Sequence, residues 1–304
     1  MASSGAGTGR RDVSFISGDA ACAAWWYPAT QEPAGGRRPC VVMAHGFSMT
    51  RGDGLARYAE AFAAAGAHVL VFDHRHLGDS GGEPRQRFRA RRQRADWRNA
   101  VAYARSRAEV DPQRIVLWGF SFSGGHIAAL LARGLGVAAA MVLCPFVDGW
   151  ARVRATPLRL SAWIIPRAVA DLLGRHTLIP VTGPPGSHGA MTHPGEAAGF
   201  AASTTAESRW VNLISPALFL TVALFRPVNR AGRIGVPLWV GRCTDDASVD
   251  PVAVGRLADR APRGELHEFP GDHFAPFTSD DDAVLAAQVA FLRRTVLEPN
   301  AIHG

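Results

Sequence analysis

Residues 115–125 read Ile-Val-Leu-Trp-Gly-Phe-Ser-Phe-Ser-Gly-Gly, and this stretch indicates the fold. Its first four residues are apolar and predict a short buried strand, and the glycines and serines that follow predict a sharp turn into a helix. Ser121 stands at that turn, where a serine hydroxyl is exposed above the end of a sheet. Gly119 precedes it by two positions, whereas Ser123 takes the place of the second glycine in the common Gly-x-Ser-x-Gly pattern. Because similar turns bind phosphate at helix N-termini, the turn alone leaves a nucleophilic serine and a phosphate site both open.

Apolar strands alternate with helical patterns on both sides of this turn. Strands are predicted at residues 40–44, 69–72, 115–118, 139–143, 238–243 and 265–269. Helices are predicted at residues 55–65, 94–109, 124–133 and 280–295, and a further helix is predicted to contain residues 257 and 258. This alternation indicates a parallel sheet covered on both faces, and segments 13–16 and 21–27 add an antiparallel hairpin before it. The predicted fold class is therefore α/β.

The alternation stops between residues 145 and 236, in a stretch rich in proline, glycine and aromatic residues. We interpret residues 145–236 as a lid inserted into one core, whose two parts are residues 1–144 and 237–304. Large aromatic side chains of the lid are Trp150, Trp163, Phe200, Trp210, Phe219 and Phe225. As a set they suit an apolar acyl pocket above the nucleophile, while each one alone is as well explained by packing of the lid onto the core.

The composition is that of a globular chain. Of its 304 residues, 47% are hydrophobic and 19% charged, which allows a sizeable core. The formal net charge is +7, and the 33 basic residues are all arginine, as GC-rich coding produces. Cys22, Cys40, Cys144 and Cys243 are widely spaced in mostly apolar runs, which predicts reduced core thiols. The first residues contain no apolar signal region and the longest apolar stretch, 213–225, is too short to cross a bilayer, so we expect a cytoplasmic protein.

Two other segments supply groups that a nucleophilic serine needs. Residues 44–47, Ala-His-Gly-Phe, follow an early strand, where the Phe47 amide is placed to form an oxyanion hole with the amide of Phe122. His45 is best explained as a support of that loop. His273 lies in the loop after the last predicted strand, so it follows the chain order serine, acid, histidine, and we take it as the general base.

The acid that orients this histidine is expected in the loop after the next-to-last predicted strand, which contains three aspartates. We choose Asp246 because such acids commonly lie a few residues before a turn proline, here Pro251. Asp245 is the alternative acid. Asp148, after an earlier strand, is better placed to cap a helix.

With these residues in place, the chain resembles the α/β-hydrolase superfamily over almost its whole length. Residues 73–82, Asp-His-Arg-His-Leu-Gly-Asp-Ser-Gly-Gly, are similar to the Asp-x-Arg-x-x-Gly-x-Ser-x-Gly loop of this family. The Ser121 turn, and the Gly-Pro-Pro-Gly turn at 183–186, are similar to those of bacterial esterase-like and thioesterase-like hydrolases. The resemblance implies a mostly parallel eight-stranded sheet with helices on both faces, and a catalytic triad. The chain departs from the pattern at Ser123 and in the spacing between the acid and the following proline.

These features predict a serine hydrolase that cleaves a carboxylic ester or thioester of an apolar acyl substrate through an acyl-enzyme on Ser121. The mechanism requires no metal and no organic cofactor. A serine nucleophile argues against the epoxide hydrolases and dehalogenases of this fold, which use aspartate. Two alternatives stay open: an acyltransferase or polyketide-releasing enzyme with the same triad, and a non-catalytic member of the fold that binds a ligand.

A cluster of arginines follows the Gly-Gly turn at residues 81 and 82. Its members are Arg85, Arg87, Arg89, Arg91, Arg92, Arg94 and Arg98. A solvated helix start in an arginine-rich chain explains them most simply. The functional alternative is a site that docks an acyl carrier protein or the phosphates of coenzyme A. Nucleic-acid binding is not expected because only Phe88 and Trp97 are interleaved with the arginines, and the sequence indicates no oligomeric state.

Overall fold

The computed structural model describes residues 9–30, 36–279 and 282–298, which build one mixed sheet surrounded by helices. The strands are β1 (Arg11–Ser17), β2 (Ala20–Tyr27), β3 (Arg38–Ala44), β4 (His68–Phe72), β5 (Val110–Phe120), β6 (Ala139–Leu143), β7 (Leu238–Cys243) and β8 (Gly264–Phe269). They lie side by side in the order β1-β2-β4-β3-β5-β6-β7-β8.

Antiparallel pairing is confined to one side of the sheet. β1 pairs antiparallel with β2, and β2 with β4, whereas all later pairs are parallel. The eight-stranded, mostly parallel α/β-hydrolase fold expected from the sequence is confirmed. Because parallel strands end at the same edge of a sheet, the loops after β3, β5, β6, β7 and β8 meet at one edge.

Helices make most of the connections between the parallel strands. They are α1 (Ala56–Ala65), α2 (Ala90–Ser106), α3 (Phe122–Leu131), α4 (Gly149–Ala155), α5 (Leu158–Ala170), α6 (Glu196–Ser203), α7 (Pro251–Arg260), α8 (Ala275–Thr278) and α9 (Ala283–Leu292). Short 3-10 segments lie at Pro216–Leu220, Val222–Leu224 and Pro227–Arg233, and π-type turns at Asp171–Arg175 and Arg293–Leu297. Within the described ranges, no helix is long and apolar enough to cross a membrane.

The core lies on the two faces of the central strands. Every residue of β4 and of β6 is buried, as the apolar runs at residues 69–72 and 139–143 predict. Trp118 of β5 is fully buried and donates its indole N–H to Gln288 of α9 at 2.8 Å, which joins the sheet to the last helix. All four cysteines are buried free thiols, as expected from their apolar surroundings.

Some predicted boundaries differ from the observed ones. β5 begins at Val110 rather than 115, because its first residue pairs with Arg38 of β3 across a register shift. α2 spans residues 90–106 rather than 94–109. It begins earlier because the arginines at its start have a high helix propensity, and it ends earlier because Arg107 is extended. The last helix was expected from residue 280, but 280 and 281 lie outside the described residues and α9 begins at Ala283.

The segment between β6 and β7 contains α4, α5, α6 and the three 3-10 segments. Its two ends meet, because the Gly149 amide donates to the Phe225 carbonyl at 2.9 Å. The Phe225 ring stacks on Phe122 with the ring centres 4.8 Å apart, and the Phe146 amide donates to the Ser121 carbonyl at 2.9 Å. This insertion therefore packs directly against the Ser121 turn.

Candidate active site

Ser121 occupies a strained turn between β5 and α3. Its φ of 52° and ψ of −117° are rare for a residue with a side chain and lift the serine out of line with both elements. The turn is tight because the chain that follows β6 crosses the start of α3. A Cβ atom on Gly125 would lie 2.0 Å from the Phe146 carbonyl oxygen, so glycine is required there.

Ser123, which departs from the common pattern, joins this turn to a neighbouring loop. Its hydroxyl donates to the backbone carbonyl of His45, in the loop that follows β3. The same hydroxyl lies 3.5 Å from Nε2 of His74. A glycine could not make either contact, so the substitution links the turn to the 44–47 loop.

His273 lies in the loop after β8 and contacts Ser121 across the edge of the sheet. Its Nε2 atom is 3.0 Å from the Ser121 Oγ, and its Nδ1 atom is 2.6 Å from Oδ2 of Asp246. Ser121 is 7% exposed and His273 3%. The structure thus brings a hydroxyl, an imidazole and a carboxylate from three loops into one hydrogen-bonded chain.

Asp246 is the aspartate in its loop that contacts His273. Its other oxygen accepts the backbone amides of Ser248 at 2.8 Å and Val249 at 3.1 Å. Burial opposes ionisation of this carboxyl, but the positive field and hydrogen bond of His273 and the two amides outweigh it and lower its pKa. The carboxylate is therefore charged and fixed in direction, as a residue that orients an imidazole must be.

The other candidate acids have different partners. Asp245 is exposed, and its carboxylate accepts the Thr244 hydroxyl at 3.3 Å. Asp148 caps α4 by accepting two backbone amides, as its position before a glycine indicated, and it also pairs with Arg226 at 2.9 Å. Neither carboxylate contacts His273 among the described hydrogen bonds.

The two amides expected to form an oxyanion hole belong to the loop after β3 and to the start of α3. The loop that carries Phe47 is close, because a Cβ atom on Gly46 would be 3.3 Å from the Ser121 Oγ. Phe122 is the first residue of α3, and the first amides of a helix have no acceptor within it. Among the described backbone hydrogen bonds, neither amide has an acceptor. That they form an oxyanion hole stays a prediction of the sequence.

His45 supports this loop, as its sequence position suggested. Its Nε2 contacts the Asp53 carbonyl, and burial lowers the pKa of the ring, which is therefore neutral. His45 has no described contact with Ser121.

A small cavity of about 50 Å³ adjoins the Ser121 hydroxyl. It is lined by Phe47, Ser121, Phe122, Phe146, Arg152, Ala190, Met191, Leu218, Phe219, Val222 and Ser248. Most of these side chains are apolar, and residues 145–236 contribute those from Phe146 to Val222. The cavity itself has room for only a short group.

The aromatic residues of the insertion divide by position. Phe219 lines the cavity, whereas Phe225 lies behind Phe122. Trp210 stacks on Phe200 and donates to the Ser48 hydroxyl at 2.9 Å. Trp163 stacks on His188, and Trp150 is 46% exposed. Of the six residues expected to form the pocket, Phe219 lines it, and Phe200, Trp210 and Phe225 pack the insertion onto the core.

The arginine cluster also divides. Arg85 donates to the Gly78 carbonyl, Arg89 pairs with Asp171 at 3.0 Å, and Arg92 lies 3.7 Å from Asp19. These three arginines therefore bond to neighbouring parts of the protein.

A second part of the cluster faces a surface groove. Arg94 lines this groove together with Arg133, beside the Phe225 ring. Burial and the neighbouring charges of Arg133, Arg98 and Arg91 lower the pKa of Arg94 to about 10. Like charges held this close favour an anion in the groove.

One group of described residues has metal-ligating atoms close together: Cys144, Asp246 and His273, within 4.8 Å of one another. The hydrogen bond to Cys243, and burial, raise the pKa of the Cys144 thiol well above its usual value. A neutral thiol is a poor metal ligand, and the other two groups already bond to each other. The donor set fits proton transfer better than metal binding.

Sequence reasoning missed three residues that the structure brings to the site. Ser248 lines the cavity, and its hydroxyl donates to the buried carboxylate of Glu196 at 2.8 Å. Arg152 of α4 also lines the cavity. No local pattern marks these positions, because their partners lie in other loops.

The model of the "Alpha/beta hydrolase family" matches residues 41–287. The quorum-quenching protein AidA of Acinetobacter baumannii is 34% identical over 291 residues, which are 94% of this chain and 95% of that protein. The thiohydrolase aneE of Aspergillus aculeatus is 34% identical over 119 residues, 39% of this chain and 37% of its own length.

A solved structure shows the same fold over nearly the whole chain. The alpha/beta hydrolase GrgF from Penicillium sp. sh18 superposes with a TM-score of 0.80 and 25% identity, covering 95% of this chain and 99% of that one. In sequence, the polyketide transferase grgF of Penicillium sp. is 34% identical over 140 residues, 46% of each chain. Hydrolases and acyl-handling enzymes are thus the relatives of this protein.

Proposed function

The chain belongs to the alpha/beta hydrolase family, and we propose that it is a serine hydrolase that cleaves a carboxylic ester or thioester of an apolar acyl substrate. The observation that carries the proposal is the hydrogen-bonded chain Ser121–His273–Asp246, with distances of 3.0 and 2.6 Å. The hydroxyl at one end of this chain opens into an apolar cavity.

In the proposed mechanism, the Ser121 oxygen attacks the acyl carbon while His273 Nε2 takes its proton. Asp246 stabilises the imidazolium that forms. The amides of Phe47 and Phe122 bind the oxyanion, and each such donor contributes roughly 3 to 4 kcal/mol to transition-state stabilisation. The alcohol or thiol leaves with the proton from His273. A water molecule, deprotonated by the same histidine, then hydrolyses the acyl-enzyme.

The insertion, residues 145–236, is proposed to act as a lid. It supplies Met191, Leu218 and Phe219 to the wall of the cavity. Since that cavity measures about 50 Å³, entry of a larger acyl group requires the insertion to shift. We also propose that the reaction takes place in the cytoplasm.

Hydrolysis is preferred to acyl transfer because of how the relatives divide. The thiohydrolase name supports hydrolysis, and the relative that matches 94% of the chain is called a quorum-quenching protein rather than a transferase. The polyketide transferase names favour the second candidate, in which an alcohol or amine replaces water. In either case a phosphate-bearing thioester or its acidic carrier protein is proposed to dock at the groove beside Arg94.

A fluorophosphonate tests the enzymatic proposal directly. The purified protein is incubated with the reagent at neutral pH, and the modified residue is identified by mass spectrometry. We expect one adduct, on Ser121, and none in Ser121→Ala, while the Ser123→Ala control is still labelled. Absence of an adduct on Ser121 would leave the non-catalytic, ligand-binding alternative. Hydrolysis is separated from transfer by offering an acyl donor with a competing amine and quantifying free acid against amide.

A further inference from the structure

Arg152 is the charged residue among the described side chains that line the Ser121 cavity. It lies in α4, and one of its terminal nitrogens donates to the Ala190 carbonyl at 3.1 Å. The guanidinium has five N–H donors, so most of its donors have no described protein acceptor.

No carboxylate of the described residues lies within 4.0 Å of this guanidinium. The nearby carboxylate of Glu196 is occupied, because it accepts the Ser248 hydroxyl at 2.8 Å and the His193 amide at 2.7 Å. Burial lowers the pKa of Arg152, against the opposing field of Glu196. Arg152 is half-buried, so its guanidinium has lost part of its hydration without gaining a paired anion among the described residues.

Arg152 also lies in the walls of two cavities beyond the one at Ser121, and one of these, of about 250 Å³, has Asp148 and Asp250 in its wall as well. The second, also of about 250 Å³, has Arg152 in its wall together with Arg159, His188 and His193. No acidic residue is among the described side chains that line it. Arg152 thus forms a wall common to the apolar space at Ser121 and to this cationic one.

We propose that Arg152 forms an anion subsite, and that the preferred substrates carry a carboxylate on the acyl group, a short distance from the carbonyl that Ser121 attacks. This inference rests on the proposed function and specifies its substrate class. The apolar side chains hold the acyl carbons, and the guanidinium pairs with the carboxylate. A charge-assisted pair of this kind is the strongest hydrogen bond that a protein offers a ligand.

Two alkyl fluorophosphonates of equal chain length test the subsite, one ending in a methyl group and the other in a carboxylate. The second-order rate constant of Ser121 labelling is measured for each, so that no natural substrate needs to be known. In the wild type we expect the carboxylate reagent to react roughly 10- to 100-fold faster, the range for a hydrogen bond to a charged group.

The matched variants are Arg152→Met, Arg152→Lys and Arg159→Met. Arg159 lines the second cavity but not the first, so its variant is expected to keep the wild-type preference. Arg152→Met removes the preference by slowing the carboxylate reagent alone, and Arg152→Lys keeps part of it. The rate with the methyl reagent shows that each variant is folded and reactive.

Three outcomes count against the proposal. Equal rates for the two reagents in the wild type overturn the subsite and leave the serine hydrolase intact. If Arg152→Met still prefers the carboxylate reagent, another group recognises the carboxylate and Arg152 does not. Failure of both reagents to label wild-type Ser121 overturns the proposed function and the subsite with it.

Discussion

Two Ser-His-Asp clusters lie side by side at the Ser121 turn, and they differ in almost every property that chemistry requires. The first contains Ser121, His273 and Asp246. The second contains Ser123, His74 and Asp96, with Ser123 Oγ 3.5 Å from His74 Nε2 and His74 Nδ1 3.3 Å from Asp96 Oδ2. The serines are two residues apart, so the residue types alone do not tell the clusters apart.

The hydroxyl groups have different partners. Ser121 has a positive φ, borders the cavity and lies 3.0 Å from its histidine. Ser123 is in regular helix and 1% exposed, and it donates its proton to the His45 carbonyl. A hydroxyl engaged in this way cannot transfer its proton to the histidine beside it.

The carboxylates differ as well. Asp246 bonds to its histidine and to two backbone amides. Asp96 is fully buried and accepts the Ser17 hydroxyl at 2.6 Å and Nε of Arg75 at 2.6 Å. Its charge is neutralised by an arginine rather than reserved for an imidazolium. Access and unused hydrogen-bonding capacity therefore separate a candidate nucleophile from a structural serine.

The largest expected difference between the clusters is in the two serines. Ser121→Ala is expected to lower turnover of an aryl ester by about 10⁶-fold, because triad members act as a unit. Ser123→Ala, which removes only the hydroxyl bond to the His45 carbonyl, is expected to lose roughly tenfold or less. The kcat/KM of both variants checks the pair. Comparable losses in the two would remove the distinction drawn here.

The acids should show the next largest difference. Asp246→Asn is expected to reduce kcat by about 10⁴-fold, because an amide holds the imidazole in the wrong tautomer. Asp245→Asn is expected to stay near wild type, since Asp245 is exposed and bonds to Thr244. Steady-state kinetics of both variants decide between the two acids, and a severe loss confined to Asp245→Asn would reverse the choice.

Ser123 should have a moderate effect on rate through the loop that it holds. Removal of an oxyanion donor costs about 10²- to 10³-fold, and Ser123→Gly only loosens the loop that carries the Phe47 amide. We therefore expect kcat to fall roughly tenfold or less, with KM little changed. A rise in KM without a change in kcat would instead mean that Ser123 acts in substrate binding.

Asp96 should affect stability rather than rate. Asp96→Asn leaves Arg75 without its buried partner and is expected to lower the free energy of unfolding by about 3 to 5 kcal/mol. The labelling rate of Ser121 in the folded variant should be almost unchanged. Urea titrations followed by circular dichroism, with the labelling assay as the control, measure the two effects separately.

The stability difference at Asp96 should also depend on pH. Burial opposes ionisation of Asp96, but hydrogen bonds from His74 and Ser17 and the charge of Arg75 outweigh it, so its folded pKa lies below the usual value. A carboxyl with a lowered pKa stabilises the fold fully above its unfolded pKa of about 3.9, and that contribution disappears as pH falls through the folded pKa. The gap between wild type and Asp96→Asn should therefore be constant from pH 7 to about 5 and shrink below about pH 4. A gap that widens on acidification would contradict this sign.

Much of this protein could be read from local sequence patterns. The apolar runs of β4 and β6 predicted buried parallel strands because a strand covered on both faces needs apolar side chains at every position. The turn at Ser121, and the late position of His273, are likewise local features of a strand end and of chain order. Asp246 and Asp245 lie in one loop, so the sequence alone left both as candidate acids.

Only the tertiary structure decided which side chains meet. It directs Asp246 toward His273 and leaves Asp245 at the surface. It buries Ser123, whose hydroxyl donates to the His45 carbonyl. It also brings Arg152 to the wall of the Ser121 cavity, which no pattern predicted. The physical reason is that strand and helix periodicity depend on neighbours a few residues apart, whereas the direction and partners of a loop side chain depend on contacts between distant parts of the chain.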